Sequence, residues 1–235
     1  MEAFSPWIRA FIYDFDDTIV ESERINDELF SGLLRREFSV DLSRAEQDLL
    51  YGFSWSGVFQ WLRENGGLRH GREEVWSRFT AIKQEYLRSH RLRTASGFDR
   101  MLELPAIHAI VSGSTRAELT TMMENAGLDP RRFQIVLSDD DIPRGKPEPD
   151  CYLEALRLLG IQAGQGLVFE DSAPGIEAAH RAGVPVAFVA ELASRDNGAA
   201  ADYRFPSFQH VHDWAQSRVQ ARVAGADPNE GTGKR

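Results

Sequence analysis

The sequence predicts an α/β fold: a parallel sheet flanked by helices, with an all-helical domain inserted after the first strand. Three observations predict it. Ala10–Tyr13 is an apolar run that ends in Asp14, Asp16 and Asp17, as expected of a buried strand closed by acids. From Ile107 onward, strand-length apolar runs alternate with helical stretches, the pattern of a parallel sheet with right-handed crossovers. Between these two regions the apolar spacing is helical as far as about His90.

Taken in order, the elements follow from spacing and punctuation. Leu29, Leu33, Leu34 and Phe38 form one helical apolar face, and Val75, Phe79, Ile82 and Tyr86 form another on a long helix near Arg72–His90. Between them lie the aromatic, glycine-punctuated segment Tyr51–Gly57 and the break at Gly66-Gly67. Ile107–Val111 reads as a strand, and Thr115-Arg116-Ala117-Glu118 as a capping box that opens a helix. Further strands are expected at Gln134–Leu137, Leu167–Phe169 and Val186–Val189, with helices at Asp150–Leu159 and Gly175–Ala182. Residues 1–20 and 92–222 are therefore assigned to an α/β core and 21–91 to a helical cap. The small, polar segment 223–235 is expected to be a disordered tail.

Composition narrows the function classes. At 235 residues and 42% hydrophobic content the chain can bury a core. No apolar run approaches a bilayer span, and the N-terminus lacks the basic and apolar regions of a secretory signal, so neither membrane association nor export is expected. The single cysteine, Cys151, fits a reducing cytoplasm and a buried helical position. A net charge of −9 without a basic stripe argues against nucleic acid as a partner. A monomer is expected, with a weak dimer as the alternative.

Four segments at the C-terminal ends of expected strands carry chemistry, because open α/β sheets assemble their sites there. The first is Asp14-Phe15-Asp16-Asp17-Thr18, whose crowded carboxylates point to a bound cation. Ser112-Gly113-Ser114 offers a hydroxyl and backbone amides suited to phosphate oxygens, helix capping being the other reading of the serines. Gly145–Asp150 presents Lys146 in a proline-bounded loop, and Glu170-Asp171 adds two further acids. His210 and His212 lie outside these strand ends and are expected at the surface.

The order and spacing of these segments resemble the haloacid-dehalogenase-like superfamily of phosphohydrolases. The match includes Asp14, Asp16 and Thr18, then Ser112, Lys146, and Glu170 with Asp171. Two longer stretches, Gly145–Asp150 and Glu170–Ile176, are similar to its sugar-phosphatase and phosphomutase branch, whose small helical cap occupies the same insertion point. The resemblance implies a Rossmann-like core in which Asp14 is the nucleophile that forms an aspartyl-phosphate. Asp16 would be its acid/base, and Ser112, Gly113 and Lys146 would bind the phosphoryl oxygens. Mg²⁺ would sit on Asp14, the Asp16 carbonyl and Asp171, with Glu170 holding the metal's waters. The implied partner is a small phosphomonoester. Ser54 and Trp55 of the glycine-bounded cap loop are expected to face its leaving group once the cap closes, packing in the cap core being the other reading of Trp55. Asn26 and Trp55 stand where β-phosphoglucomutases carry a histidine and an arginine, which favours hydrolysis over phosphoryl transfer between sugar positions. A sugar phosphomutase and a non-catalytic module that binds a phosphorylated ligand are the alternatives.

Overall fold

The computed structural model describes residues 8–50 and 55–223, which form two compact units: the described residues up to Glu21 with those from Leu92 onward, and Ser22–Arg91. The strands are β1 (Ala10–Tyr13), β2 (Ile107–Val111), β3 (Ile135–Leu137), β4 (Gly166–Glu170), β5 (Val186–Val189) and β6 (Tyr203–Phe205). Helices α1 (Glu23–Glu37), α2 (Arg44–Leu50), α3 (Trp55–Glu64) and α4 (Arg72–Ser89) belong to the second unit. Helices α5 (Phe98–Met101), α6 (Arg116–Ala126), α7 (Asp150–Leu159), α8 (Ala173–Arg181) and α9 (Phe208–Val223) belong to the first.

The six strands pair in parallel in the order β3-β2-β1-β4-β5-β6. The first strand is central, and all four of its residues are buried, as its unbroken apolar run requires. Alternation along it divides the core. Ala10 and Ile12 pack with Val111, Val168, Tyr152 and Ile176. Phe11 and Tyr13 face an aromatic layer in which Phe169, Phe98 and Phe208 make edge-on contacts. Burying β1 between two neighbours on both faces places the residue after Tyr13 at the sheet's C-terminal edge, beside the end of β4.

His108 belongs to that aromatic layer. Tyr13 Oη lies 3.0 Å from its Nδ1, and its Nε2 lies 3.2 Å from the Leu104 carbonyl. The neutral imidazole with its proton on Nε2 satisfies both contacts, Tyr13 donating to Nδ1 and Nε2–H donating to Leu104. Burial holds the His108 pKa below its ordinary value.

In the second unit, Phe30 packs edge-on against Phe59 and Phe79 at 6.0 and 5.2 Å, within a core that includes Leu33, Leu34, Leu62 and Val75. The face expected on the long helix shifts slightly here: Leu87 is buried, whereas Tyr86 stacks on His90. Asn26, on α1, is buried, and its Oδ1 has no hydrogen-bond partner among the described residues.

Several details differ from the sequence reading. The edge strand β6 is only three residues long and adds a sixth member to the sheet. The last helix of the βα series begins at Ala173 rather than Gly175, because Ser172 caps it by accepting from Gly175 N at 3.1 Å. Thr115 caps α6 as its capping box predicts, so the alternative reading of Ser112 or Ser114 as the cap falls away. His212 is buried on α9 rather than at the surface, packed into the inward face of that helix, while His210 is exposed. Apart from Val223, which ends α9, the expected tail lies outside the described residues, as do Tyr51–Ser54 of the cap loop. Among the described residues no helix is long and apolar enough to cross a membrane.

The buried imidazole sets an acid sensitivity. A histidine whose folded pKa is depressed contributes stability that is complete above about pH 6.5 and lost as pH falls, because the unfolded chain then binds the proton more readily. His108→Gln is expected to lower stability at pH 7.5 by about 1–3 kcal/mol through the lost buried contacts. Its unfolding midpoint should then fall less than that of the wild type between pH 7.5 and 5.5, as read by thermal denaturation. Parallel pH profiles for the two proteins would contradict this account.

Candidate active site

Asp14 follows the last residue of β1, and its amide donates to the Phe169 carbonyl at 2.9 Å, so it stands against the end of β4. The fourth strand delivers Glu170 as its own last residue and Asp171 immediately after it. Asp14, Glu170 and Asp171 are all buried. Each offers a carboxylate oxygen within 4.8 Å of the others, a set of hard oxygen donors suited to a divalent cation. Asp14 and Asp171 bear on this fit directly. Burial pushes both carboxyl groups well above the ordinary range, and the neighbouring acids add to the rise.

Lys146 reaches this cluster from the loop before α7. Its Nζ lies 2.5 Å from Asp14 Oδ1 and 2.7 Å from Glu170 Oε1. Burial alone would depress the lysine, but the carboxylates of Asp14 and Glu170 outweigh it and hold the ammonium charged well above its ordinary range. Three carboxylates against this one ammonium leave two negative charges uncompensated, which a divalent cation would neutralise.

The Glu170 carboxylate accepts five hydrogen bonds. Lys146 and Tyr152 Oη, the latter at 2.7 Å, donate to Oε1. The amides of Asp171 and Ser172, each at 3.2 Å, and Ser172 Oγ at 2.9 Å donate to Oε2. The N-terminal turn of α8 thus cradles this acid.

Asp16 points toward the end of β2. Its Oδ2 accepts from Ser112 Oγ at 3.1 Å and from Ser114 Oγ at 2.9 Å, and Ser112 Oγ in turn accepts from Ser114 N at 3.0 Å. Gly113 lies exposed between the two serines. Asp17 turns the chain away with φ at +52°, a region glycine enters freely and aspartate tolerates. Ser194 Oγ donates to its carboxylate at 2.6 Å. Thr18 Oγ1 donates to Asp171 Oδ1 at 3.3 Å, and Asn197 Nδ2 donates to the Asp171 carbonyl at 3.1 Å.

One constellation therefore unites Asp14, Asp16, Ser112, Lys146, Glu170 and Asp171. Ser114, named in the sequence only as part of the Ser112-Gly113-Ser114 segment, joins it, as do Tyr152, Ser194 and Asn197, which the sequence did not single out. Tyr152 carried one usable signal, because a tyrosine on the buried face of a helix needs a partner for its hydroxyl. Ser194 and Asn197 lie in an irregular loop after β5 and carried none. Of the two cap residues expected to face a leaving group, Ser54 lies outside the described residues. Trp55 begins α3.

Comparison with known proteins fits this geometry. Residues 11–189 match the model of the haloacid dehalogenase-like hydrolases. The chain is 26% identical over 212 residues to protein CbbY of Rhodobacter capsulatus, covering 85% of this chain and 93% of that one. It is 23% identical over 181 residues to the phosphorylated carbohydrates phosphatase of Thermotoga maritima, covering 75% and 82% respectively. In fold it is similar to the β-phosphoglucomutase of Clostridium difficile, with a TM-score of 0.73 over 92% of this chain and 99% of that one, at 16% identity.

The raised carboxyl groups have a measurable consequence in chelator. A carboxyl whose folded pKa is raised contributes stability at low pH that is lost as pH climbs above its ordinary range, near pH 4. Asp171→Asn removes one such charge without breaking the Asp14–Lys146 pair. In EDTA at pH 7.5 the variant is expected to melt about 2–4 °C above the wild type, equivalent to about 1 kcal/mol. The difference should shrink toward pH 4. A variant that melts lower than the wild type at pH 7.5 would show that Asp171 is a stabilising partner instead.

Proposed function

The chain belongs to the haloacid dehalogenase-like hydrolase family, and from that premise we propose that it is a Mg²⁺-dependent phosphatase of a small phosphorylated metabolite, a sugar or polyol monophosphate. One observation carries the reading: a buried carboxylate, Asp14, paired at 2.5 Å with a buried ammonium, lies two residues from a second carboxylate tethered by two hydroxyls. A module that only bound phosphate would be served by the lysine and hydroxyls and weakened by the carboxylates. A nucleophile paired with an acid/base has use for both.

In this reading an oxygen of Asp14 attacks phosphorus and the bond from phosphorus to the ester oxygen breaks. Asp16 gives its proton to the departing oxygen. The aspartyl-phosphate is then hydrolysed by water, whose proton Asp16 takes back, and inorganic phosphate leaves. Lys146, the Ser112 hydroxyl and the Gly113 amide hold the transferring oxygens, so Ser112 must turn from Asp16 toward the phosphoryl group. Asp14, the Asp16 carbonyl and Asp171 would hold the metal, with Glu170 on its waters. Bound Mg²⁺ supplies the charge neutralisation that lets a carboxylate approach a phosphate dianion.

The substrate class draws on the phosphorylated carbohydrates phosphatase among the relatives. Selection of the leaving group is assigned to the cap loop that contains Ser54 and Trp55, because the sheet-borne residues address only the phosphoryl group.

Two experiments test the reading. Asp14→Asn should reduce phosphate release from a panel of sugar and polyol monophosphates to background while the protein remains folded. EDTA should do the same to the wild type, with activity recovered on adding Mg²⁺ but not Ca²⁺, whose larger shell recruits extra oxygens. Wild-type turnover by Asp14→Asn, or full activity in excess EDTA, would overturn the mechanism. For selection, Trp55→Ala should change the ratios of kcat/KM across the panel while hydrolysis of p-nitrophenyl phosphate survives. Unchanged ratios would place specificity elsewhere.

A further inference from the structure

Tyr152 lies on α7 in the core, with no exposed surface, among Ile12, Val111 and Val168. Two contacts aim it at the site. Its hydroxyl donates to Glu170 Oε1 at 2.7 Å, and the face of its ring lies 5.4 Å from Lys146 Nζ, within the range of a cation–π contact. Burial holds the phenol well above its ordinary pKa, so it remains a donor throughout the working range.

The carboxylate it touches has no room to move. Glu170 is fully buried and bound by donors on both oxygens. On its remaining side is Gly175, where a Cβ would overlap Glu170 Oε1. A flexible glutamate could ordinarily swing away from such a clash, but this one is pinned at its tip. Glycine at 175 is therefore required by the carboxylate it faces.

From this arrangement we infer that Tyr152 is a positioning residue for Lys146. Its hydroxyl fixes Glu170 Oε1, its ring supports the ammonium from below, and together they set the height at which Lys146 meets the phosphoryl oxygens. Without the hydroxyl, Glu170 Oε1 has Lys146 as its one strong donor. The ammonium is then drawn toward Glu170 and away from Asp14 and the transferring group. The effect acts through the lysine, whose pairing with Asp14 is weakened as a result.

Tyr152→Phe tests this, since it keeps the ring and nearly all the volume. The proposal rests on the phosphatase reading, so two readouts are used, one of which does not need turnover. Inorganic phosphate binding is measured by calorimetry in Mg²⁺, and kcat/KM is measured with p-nitrophenyl phosphate. Tyr152→Phe is expected to weaken phosphate binding and lower kcat/KM by about tenfold each, the scale of one hydrogen bond to a charged group. In a Lys146→Ala background the same substitution should have no further effect on phosphate binding, because two residues acting through one contact are not additive. Gly175→Ala, which displaces the same carboxylate by steric overlap, should reproduce the loss of phosphate affinity with the tyrosine intact. Unchanged phosphate affinity in Tyr152→Phe, an undiminished effect in the Lys146→Ala background, or a Tyr152→Phe protein that does not fold would each overturn the inference. Failure of the phosphatase reading would appear separately, as a wild type that binds phosphate but hydrolyses no phosphomonoester.

Discussion

Lys146 Nζ sits between the carboxylates of Asp14 and Glu170, nearly out of solvent, and the arrangement of the rest of the core domain follows from keeping it there. A buried ammonium is tolerable only where opposite charge compensates for lost hydration, and a buried carboxylate only where donors do the same. Each group meets the other's requirement. The pairing is incomplete, because Asp16, Asp17 and Asp171 crowd the same edge and the lysine contributes a single positive charge. That excess of negative charge is what a divalent cation would neutralise.

The parallel sheet is what makes the meeting possible. In a parallel pair both strands end at the same edge, so the register Tyr13↔Phe169 puts Asp14 beside Glu170 although the two are far apart in the chain. The register Tyr13↔Ile110 brings Ser112 to the same edge from the other side. Sequence-distant residues therefore meet through backbone pairing alone, and their side chains need only local caps and turns to be aimed. Ser172 at the head of α8 and Thr115 at the head of α6 provide two of these. With Thr115 serving as the cap, the hydroxyls of Ser112 and Ser114 are released to Asp16.

Much of this was legible in the sequence, for physical reasons. Ile107–Val111, Val186–Val189 and Asp150–Leu159 were readable to the residue, because apolar period and punctuation agree there. The edge strand Tyr203–Phe205 was not, since an exposed arginine between two half-buried aromatics carries little periodic signal. The acids were legible because charge at the end of an apolar strand is costly unless a counter-charge or a ligand meets it there, and Lys146 because it stands in a proline-bounded loop just before a helix. Tyr152 gave a weaker signal: on an apolar helical face it resembles any other core residue, and only the need of its hydroxyl for a partner marks it out. His212 shows the limit of polarity as a guide, as it is buried on α9 beside Val211 and Ala215.

The two acids at the end of β4 show how one local sequence divides its labour. Asp171 has Thr18 as a donor and is surrounded by like charge, so it gains most from a cation. Glu170, one residue earlier, accepts two backbone amides, a serine, a tyrosine and the lysine, and already has what a carboxylate needs. A group so thoroughly satisfied is poorly placed to change partners and well placed to hold another group still. The proposed phosphoryl transfer has use for both kinds of acid: one left electrostatically unsatisfied until ligands arrive, and one fixed so firmly that the ammonium beside it would not follow the moving charge.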